Sequence, residues 1–207
     1  MTADAPIRIL LADDQALVRG ALATLLGLED DLVVTAQVGR GDEVLDAARQ
    51  HQPDIALLDV EMPGIDGLTA AAQLRQALPG VRVVIVTTFG RAGYLSRALS
   101  AGVSGYVVKD TPASELADVV RHVMRGETVI DAALATDALT AGPSPLTPRE
   151  TEVLAAARDG GTISDVARIL HLSEGTTRNH LSSAMQKLEA RTRADAARIA
   201  QERGWLL

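Results

Sequence analysis

The chain has 207 residues, 47% of them hydrophobic, and a formal net charge of −7, which gives enough apolar material for one large core or two small ones. Cysteine is absent, which excludes disulfides, thiolate metal sites, iron–sulfur clusters and cysteine nucleophiles. No run approaches eighteen uninterrupted apolar residues, and residues 1–6 lack a basic segment followed by an apolar one, so no membrane insertion is expected and the protein is read as cytoplasmic.

In chain order, five short apolar runs alternate with helix-like stretches: Ile7–Ala12, Leu32–Val38, Ile55–Leu58, residues 81–86 and Gly105–Val108. Runs this rich in Val, Ile and Leu suit strands covered on both faces, and their alternation with helices predicts a parallel sheet. The first helix-like stretch repeats Leu17, Val18, Ala21, Leu22, Leu25 and Leu26 at helical spacing and is predicted to turn that face inward. The expectation is an α/β domain over residues 1–126, a five-stranded doubly wound sheet.

Residues 127–145 read as a linker, because Ala141-Gly142-Pro143-Ser144-Pro145 is the densest breaker cluster in the chain. Residues 146–207 read as a small all-α domain of four helices. Thr147-Pro148-Arg149-Glu150 is a capping-box pattern with proline at the first helical position, and Thr162 with Asp165 and Thr192 with Asp195 are shorter variants. Gly204 is placed to end the last helix, and Trp205 beyond it reads either as a core anchor or as part of a contact surface. Charge divides along the same boundary: residues 1–140 hold eleven Lys/Arg against nineteen Asp/Glu, and residues 141–207 nine against eight. The acidic excess therefore does not argue against nucleic acid for the second domain.

Asp13 and Asp14 follow the first strand and Asp59 the third, where a doubly wound sheet places its ligand. Three converging carboxylates repel one another, and a hard divalent cation such as Mg2+ relieves that repulsion. Thr87 follows the fourth strand and Lys109 the fifth. Beside a carboxylate nucleophile, a cation, an ammonium and a hydroxyl would neutralise phosphoryl oxygens. Singly, a strand-end Asp caps helices, Thr87 forms strands, Tyr106 fills cores and Lys109 decorates surfaces; their coincidence at strand ends argues for a site.

The Asp13-Asp14 pair, Asp59 followed by Val60-Glu61-Met62-Pro63-Gly64, Thr87, Tyr106 and Lys109 together resemble the signature of bacterial receiver domains over residues 6–126. The resemblance implies that Asp59 is the phosphoacceptor and that Asp13, Asp14, Asp59 and the Glu61 main-chain carbonyl bind Mg2+. It implies Thr87 and Tyr106 as a switch pair, with Tyr106 turning inward on phosphorylation, and Lys109 as a phosphate contact. Asp110 follows Lys109 where many receivers have proline, which the NarL/FixJ subgroup shares.

From Leu146 onward the chain resembles the LuxR-type helix-turn-helix domain of NarL/FixJ response regulators. The resemblance rests on residues 146–154, Val166-Ala167, Leu172-Ser173-Glu174-Gly175-Thr176 and Lys187-Leu188. It makes residues 166–170 the scaffold helix and 174–189 the recognition helix. Thr177, Leu181, Ala184, Met185 and Leu188 share the inward face of that helix. Arg178, Asn179, Ser182, Ser183, Gln186 and Lys187 lie opposite or beside it as candidate DNA contacts, Lys187 being assigned to phosphate. Thr177, Gly161 and Ile163 depart from the usual pattern.

Within the family, Leu28-Glu29-Asp30-Asp31, Thr87-Thr88-Phe89, Gly93-Tyr94 and Gly204-Trp205 resemble the desaturase-regulating, membrane-fluidity branch. The implied function is a two-component response regulator controlled by a sensor histidine kinase. It would bind paired half-sites of double-stranded DNA and form a homodimer on phosphorylation, with RNA polymerase as a further partner. Two other classes stand beside it: an aspartate-dependent phosphatase, which has Glu61 in place but no cap insertion, and a protein-binding adaptor that does not engage DNA.

Overall fold

The computed structural model describes residues 5–88, 92–132, 134–136, 144–158 and 160–206, and the chain forms two compact units. Part of the breaker cluster, Ala141-Gly142-Pro143, lies outside the described residues, as do residues 1–4 and Phe89.

From Ile7 to Ile130 the elements are β1 (Ile7–Ala12), α1 (Ala16–Leu26), β2 (Leu32–Val38), α2 (Val44–His51), β3 (Ile55–Leu58), α3 (Gly67–Ala77), β4 (Arg82–Thr87), α4 (Ala92–Ser100), β5 (Gly105–Val108), α5 (Ala113–Met124) and β6 (Val129–Ile130). All pairs are parallel, in the order β2-β1-β3-β4-β5-β6. The sheet thus has six strands rather than the expected five. Val129 and Ile130 pair with Gly105 and Tyr106 within the stretch read as linker. Two apolar residues between Thr128 and Asp131 are too few to show any period.

Alternate residues of the strands serve opposite faces. Ile9, Leu11, Ile55, Leu57, Val84, Val86 and Val107 pack with Leu26 of α1 and Leu116, Val120 and Val123 of α5. Leu10, Leu58, Ile85 and Tyr106 are buried on the other side. At roughly 1.5–3 kcal/mol per fully buried large side chain, these two layers hold the strand ends in place.

The α1 face differs from the expectation. Leu26 is fully buried and Leu22 packs on the core, but Leu17 is 86% and Leu25 45% exposed. Six apolar positions span almost half the helix circumference, so both edges of the stripe cannot meet the sheet at once.

The second unit contains α6 (Pro148–Ala157), α7 (Ile163–Ile169), α8 (Glu174–Lys187) and α9 (Arg193–Glu202). Capping boxes join Thr147 to Glu150 and Thr162 to Asp165, and the Ser173 and Thr192 side chains cap α8 and α9. Gly204, at φ 69°, ends α9 in a Schellman turn, its N–H donating to Gln201 and that of Trp205 to Ala200. Val153, Leu154, Ala157, Val166, Leu181, Ala184, Leu188, Ala197 and Leu206 form the core, with Trp205 partly buried against it. The first reading of Trp205, a core anchor, therefore describes its packing.

Candidate functional site

The strand order reverses between β1 and β3, and the acid site lies just past the carboxyl ends of these two strands and of β4 and β5. Sheet hydrogen bonding continues beyond the strands and sets the directions of the site residues. The Asp13 N–H donates to Val38 O (3.2 Å), the Asp59 N–H to Ala12 O (2.8 Å) and the Lys109 N–H to Thr87 O (2.8 Å). The backbone after Asp59 is equally constrained. A Cβ on Gly67 would lie 1.8 Å from the Asp59 carbonyl oxygen, so only glycine lets the start of α3 pass there, its N–H donating to Val60 O at 2.9 Å. The Asp66 carboxylate caps the same helix through Thr69.

Asp13 and Asp59 are each 4% exposed and Thr87 is 2% exposed. Lys109 Nζ lies 2.7 Å from Asp13 Oδ2 and 2.8 Å from Asp59 Oδ2. Carboxylate oxygens of Asp13, Asp14 and Asp59 fall within 4.8 Å of one another, an all-oxygen donor set that fits a hard divalent cation. Burial pushes the Asp59 carboxyl above the usual carboxylate range, with the Asp13 charge adding to it, against the pull of Lys109. Burial alone would lower Lys109, but its hydrogen bonds to Asp13 and Asp59 outweigh this and raise it, so its ammonium stays charged. Asp14, Gln15, Asp59, Glu61, Thr87 and Thr88 line an open cleft over the cluster. This arrangement can accept an anion of high charge density beside a carboxylate.

Tyr106, expected to turn inward during switching, is already fully buried. Two residues near the site were not foreseen. Arg19 of α1 donates to the Asp13 main-chain carbonyl, a contact only its i+6 spacing could have hinted at. Gly67 carries no sequence signal beyond the turn-rich Pro63-Gly64-Ile65-Asp66-Gly67.

In the second unit α8 buries Thr177, Leu181, Ala184 and Leu188, with Met185 half-buried. The Thr177 hydroxyl donates to Ser173 O at 3.0 Å, which satisfies a polar group where an apolar one is usual. Near Gly161, Arg193 Nη1 donates to its carbonyl at 2.6 Å. Arg178, Asn179, Ser182 and Gln186 are exposed. Ser183 and Lys187 are engaged elsewhere: the Ser183 hydroxyl donates to Glu150 Oε1 at 2.6 Å and Lys187 Nζ to Glu150 Oε2 at 2.7 Å. The sequence marks Glu150 as a capping-box residue within the LuxR-type stretch and carries no sign of this pairing.

Residues 9–121 match the response regulator receiver domain family, and residues 144–200 match the luxR family of bacterial regulatory proteins. The transcriptional regulatory protein DesR of Bacillus subtilis (strain 168) is 42% identical over 199 residues, covering 96% of this chain and 98% of that protein. The response regulator RamR of Streptomyces coelicolor is 39% identical over 200 residues, with coverage of 96% and 98%. Among solved structures, the response regulator ChrA of a heme-sensing two-component system aligns with a TM-score of 0.59 at 30% identity, covering 98% of this chain and all of that one. The Salmonella typhimurium RcsB response regulator shares the fold at a TM-score of 0.73 and 20% identity, with coverage of 97% and 99%. With a receiver family matched over more than half its length and relatives matched end to end, the chain belongs to the two-component response regulators that join a receiver to a LuxR-type DNA-binding domain.

Proposed function

We propose that a sensor histidine kinase phosphorylates Asp59 and that the phosphorylated chain dimerises and binds paired half-sites on promoter DNA, in the cytoplasm, to regulate transcription by RNA polymerase. The observation that carries this reading is the ammonium of Lys109 held between two buried carboxylates at the point where the strand order reverses. An Asp59 oxygen forms the bond to phosphorus as the phosphorus–nitrogen bond of the phosphohistidine breaks. Lys109 and the Thr87 hydroxyl neutralise the phosphoryl oxygens. Asp13, Asp14, Asp59 and the Glu61 main-chain carbonyl would hold Mg2+, which would supply the remaining neutralisation. The receiver in this reading acts on its own aspartate alone and is not an enzyme for an external substrate. Acetyl phosphate with Mg2+ is expected to form an acyl phosphate on the wild type and none on Asp59→Ala; equal labelling of both contradicts the assignment.

The first and fifth helices offer the dimer face. Leu17, Leu25 and Leu28 are 86%, 45% and 73% exposed on one side of α1 and the turn after it, an apolar stripe of the kind that marks association surfaces. Beside it Arg121 of α5 holds Glu29, Asp31 and Asp118 together. Sedimentation of the phosphorylated chain is expected to show a dimer, and Leu17→Glu with Leu28→Glu to return it to monomer.

In the second unit, Arg178, Asn179, Ser182 and Gln186 supply the base-edge and phosphate contacts of α8. Ser183 and Lys187, first assigned to DNA, are the members of that set whose side chains already have partners inside the domain.

A further inference from the structure

Glu150 is a buried carboxylate shared by two helices. Its side chain is 6% exposed and that of Lys187 34%. One oxygen accepts the Ser183 hydroxyl, and the other accepts both Lys187 Nζ and, at 2.7 Å, the Thr147 main-chain N–H. The carboxylate thus accepts from the N-cap of α6 and from two side chains of α8. Glu150 stands in the first turn of α6, the helix that the buried Val153 and Leu154 pack into the core. Ser183 and Lys187 are one helical turn apart on α8, so both meet the same carboxylate from one face.

Leu181, Ala184 and, at its C-cap, Leu188 attach α8 through apolar packing, and the buried Thr177 hydroxyl donates within the helix start to Ser173 O. Apolar packing fixes the depth of a helix but is not directional, whereas charge-assisted hydrogen bonds fix its rotation. A side-chain tip stands roughly 6 Å from a helix axis, so a roll of about 20° displaces it by about 2 Å, enough to break a bidentate contact to a base. Burial opposes the charge of Glu150, but Lys187, Ser183 and Thr147 together hold its pKa down to about 2, so the carboxylate stays ionised.

We propose that Glu150 is the positioning residue of the recognition helix, setting the rotation of α8 through Ser183 and Lys187. The Lys187 ammonium accordingly serves inside the domain and not at a DNA phosphate. The inference rests on the DNA-binding reading of α8.

The test uses the full-length chain and a duplex that the wild type selects from a random library, compared with an unrelated duplex across a salt series. Lys187→Met is expected to lower the ratio of selected to unrelated affinity about tenfold while the logarithmic salt slope stays within about 0.3 of wild type, since no phosphate contact is lost. Glu150→Gln, which keeps the capping box, lowers the ratio similarly. In the double variant the two losses do not add, and the ratio stays within about threefold of either single variant, because both act through one pair. Two independent folding defects would add, and circular dichroism verifies each variant. If Glu150→Gln fails to fold, Lys187→Met and Ser183→Ala carry the test. Equal weakening on both duplexes with a slope shallower by about one unit in Lys187→Met makes Lys187 a phosphate contact and overturns the proposal. An unchanged ratio in the folded variants overturns it too. Recovery of no duplex by the wild type is a different result, which removes the DNA-binding reading and the inference with it.

Discussion

The Lys109 ammonium lies 2.8 Å from the Asp59 carboxylate, and the same ammonium reaches Asp13 at 2.7 Å. One cation therefore balances two buried acids, and removing it takes the ammonium from both. Lys109→Ala is expected to slow acyl-phosphate formation from acetyl phosphate by roughly ten- to a thousandfold, because neutralisation of the incoming oxygens is lost. Rates measured on gels that separate phosphorylated from free chain check this. An unchanged rate in the folded variant would remove Lys109 from the site.

Gly67 passes so close to Asp59 that a methyl group at that position would lie 1.8 Å from a carbonyl oxygen. Gly67→Ala is expected to destabilise the receiver by about 2–4 kcal/mol, as forced overpacking does. Gly80, where a methyl group would meet nothing within 4 Å, is the control: Gly80→Ala should change stability by no more than about 1 kcal/mol. Urea unfolding of the two variants separates these outcomes.

The buried pair in the second unit makes stability depend on acid. The Glu150 carboxyl, ordinarily near 4.5, titrates at about 2 in the folded chain. A depressed carboxyl contributes stability that is fully present above its unfolded value and is lost as pH falls from about 4.5 through about 2. The chain has one tryptophan, Trp205, which packs on the core of this unit, so its fluorescence reports this domain alone. Denaturant midpoints followed by that signal are expected to fall over this window in the wild type and to fall less in Glu150→Gln. Identical acid limbs would contradict the pairing.

Arg178 and Asn179 stand exposed in the N-terminal half of α8, the part of a recognition helix that meets base edges. Arg178→Ala and Asn179→Ala are each expected to cost roughly 1–3 kcal/mol at a contacted base pair and to relax preference there. Binding to duplexes mutated one position at a time measures both. Unaltered affinity and preference in both variants would mean that another element reads the DNA.

The acid site was legible because each of its residues follows an apolar strand run, and the ends of such runs converge in a doubly wound sheet. Asp13, Asp59, Thr87 and Lys109 therefore declared themselves by position. The sixth strand did not, since Val129 and Ile130 are too short a run to show a period. Periodicity marked α1 as amphipathic but not which edge of a wide stripe meets the sheet, and Leu17 fell on the outer edge. Polarity likewise placed Ser183 and Lys187 among the hydrophilic residues of α8 without revealing that a carboxylate 33 and 37 positions earlier had engaged them. Local pattern names the polar residues of a helix; only tertiary packing distinguishes those still available to a ligand.

Control of DNA binding by phosphorylation of Asp59 is tested by the affinity of the full-length chain for its selected duplex at fixed salt, with and without acetyl phosphate and Mg2+, in wild type and in Asp59→Asn. Affinity is expected to rise about tenfold or more in the wild type on treatment, as for a coupling of about 1–3 kcal/mol, and to stay at the untreated level in Asp59→Asn. An equal rise in the variant, or no change in a wild type confirmed to be phosphorylated, would contradict it.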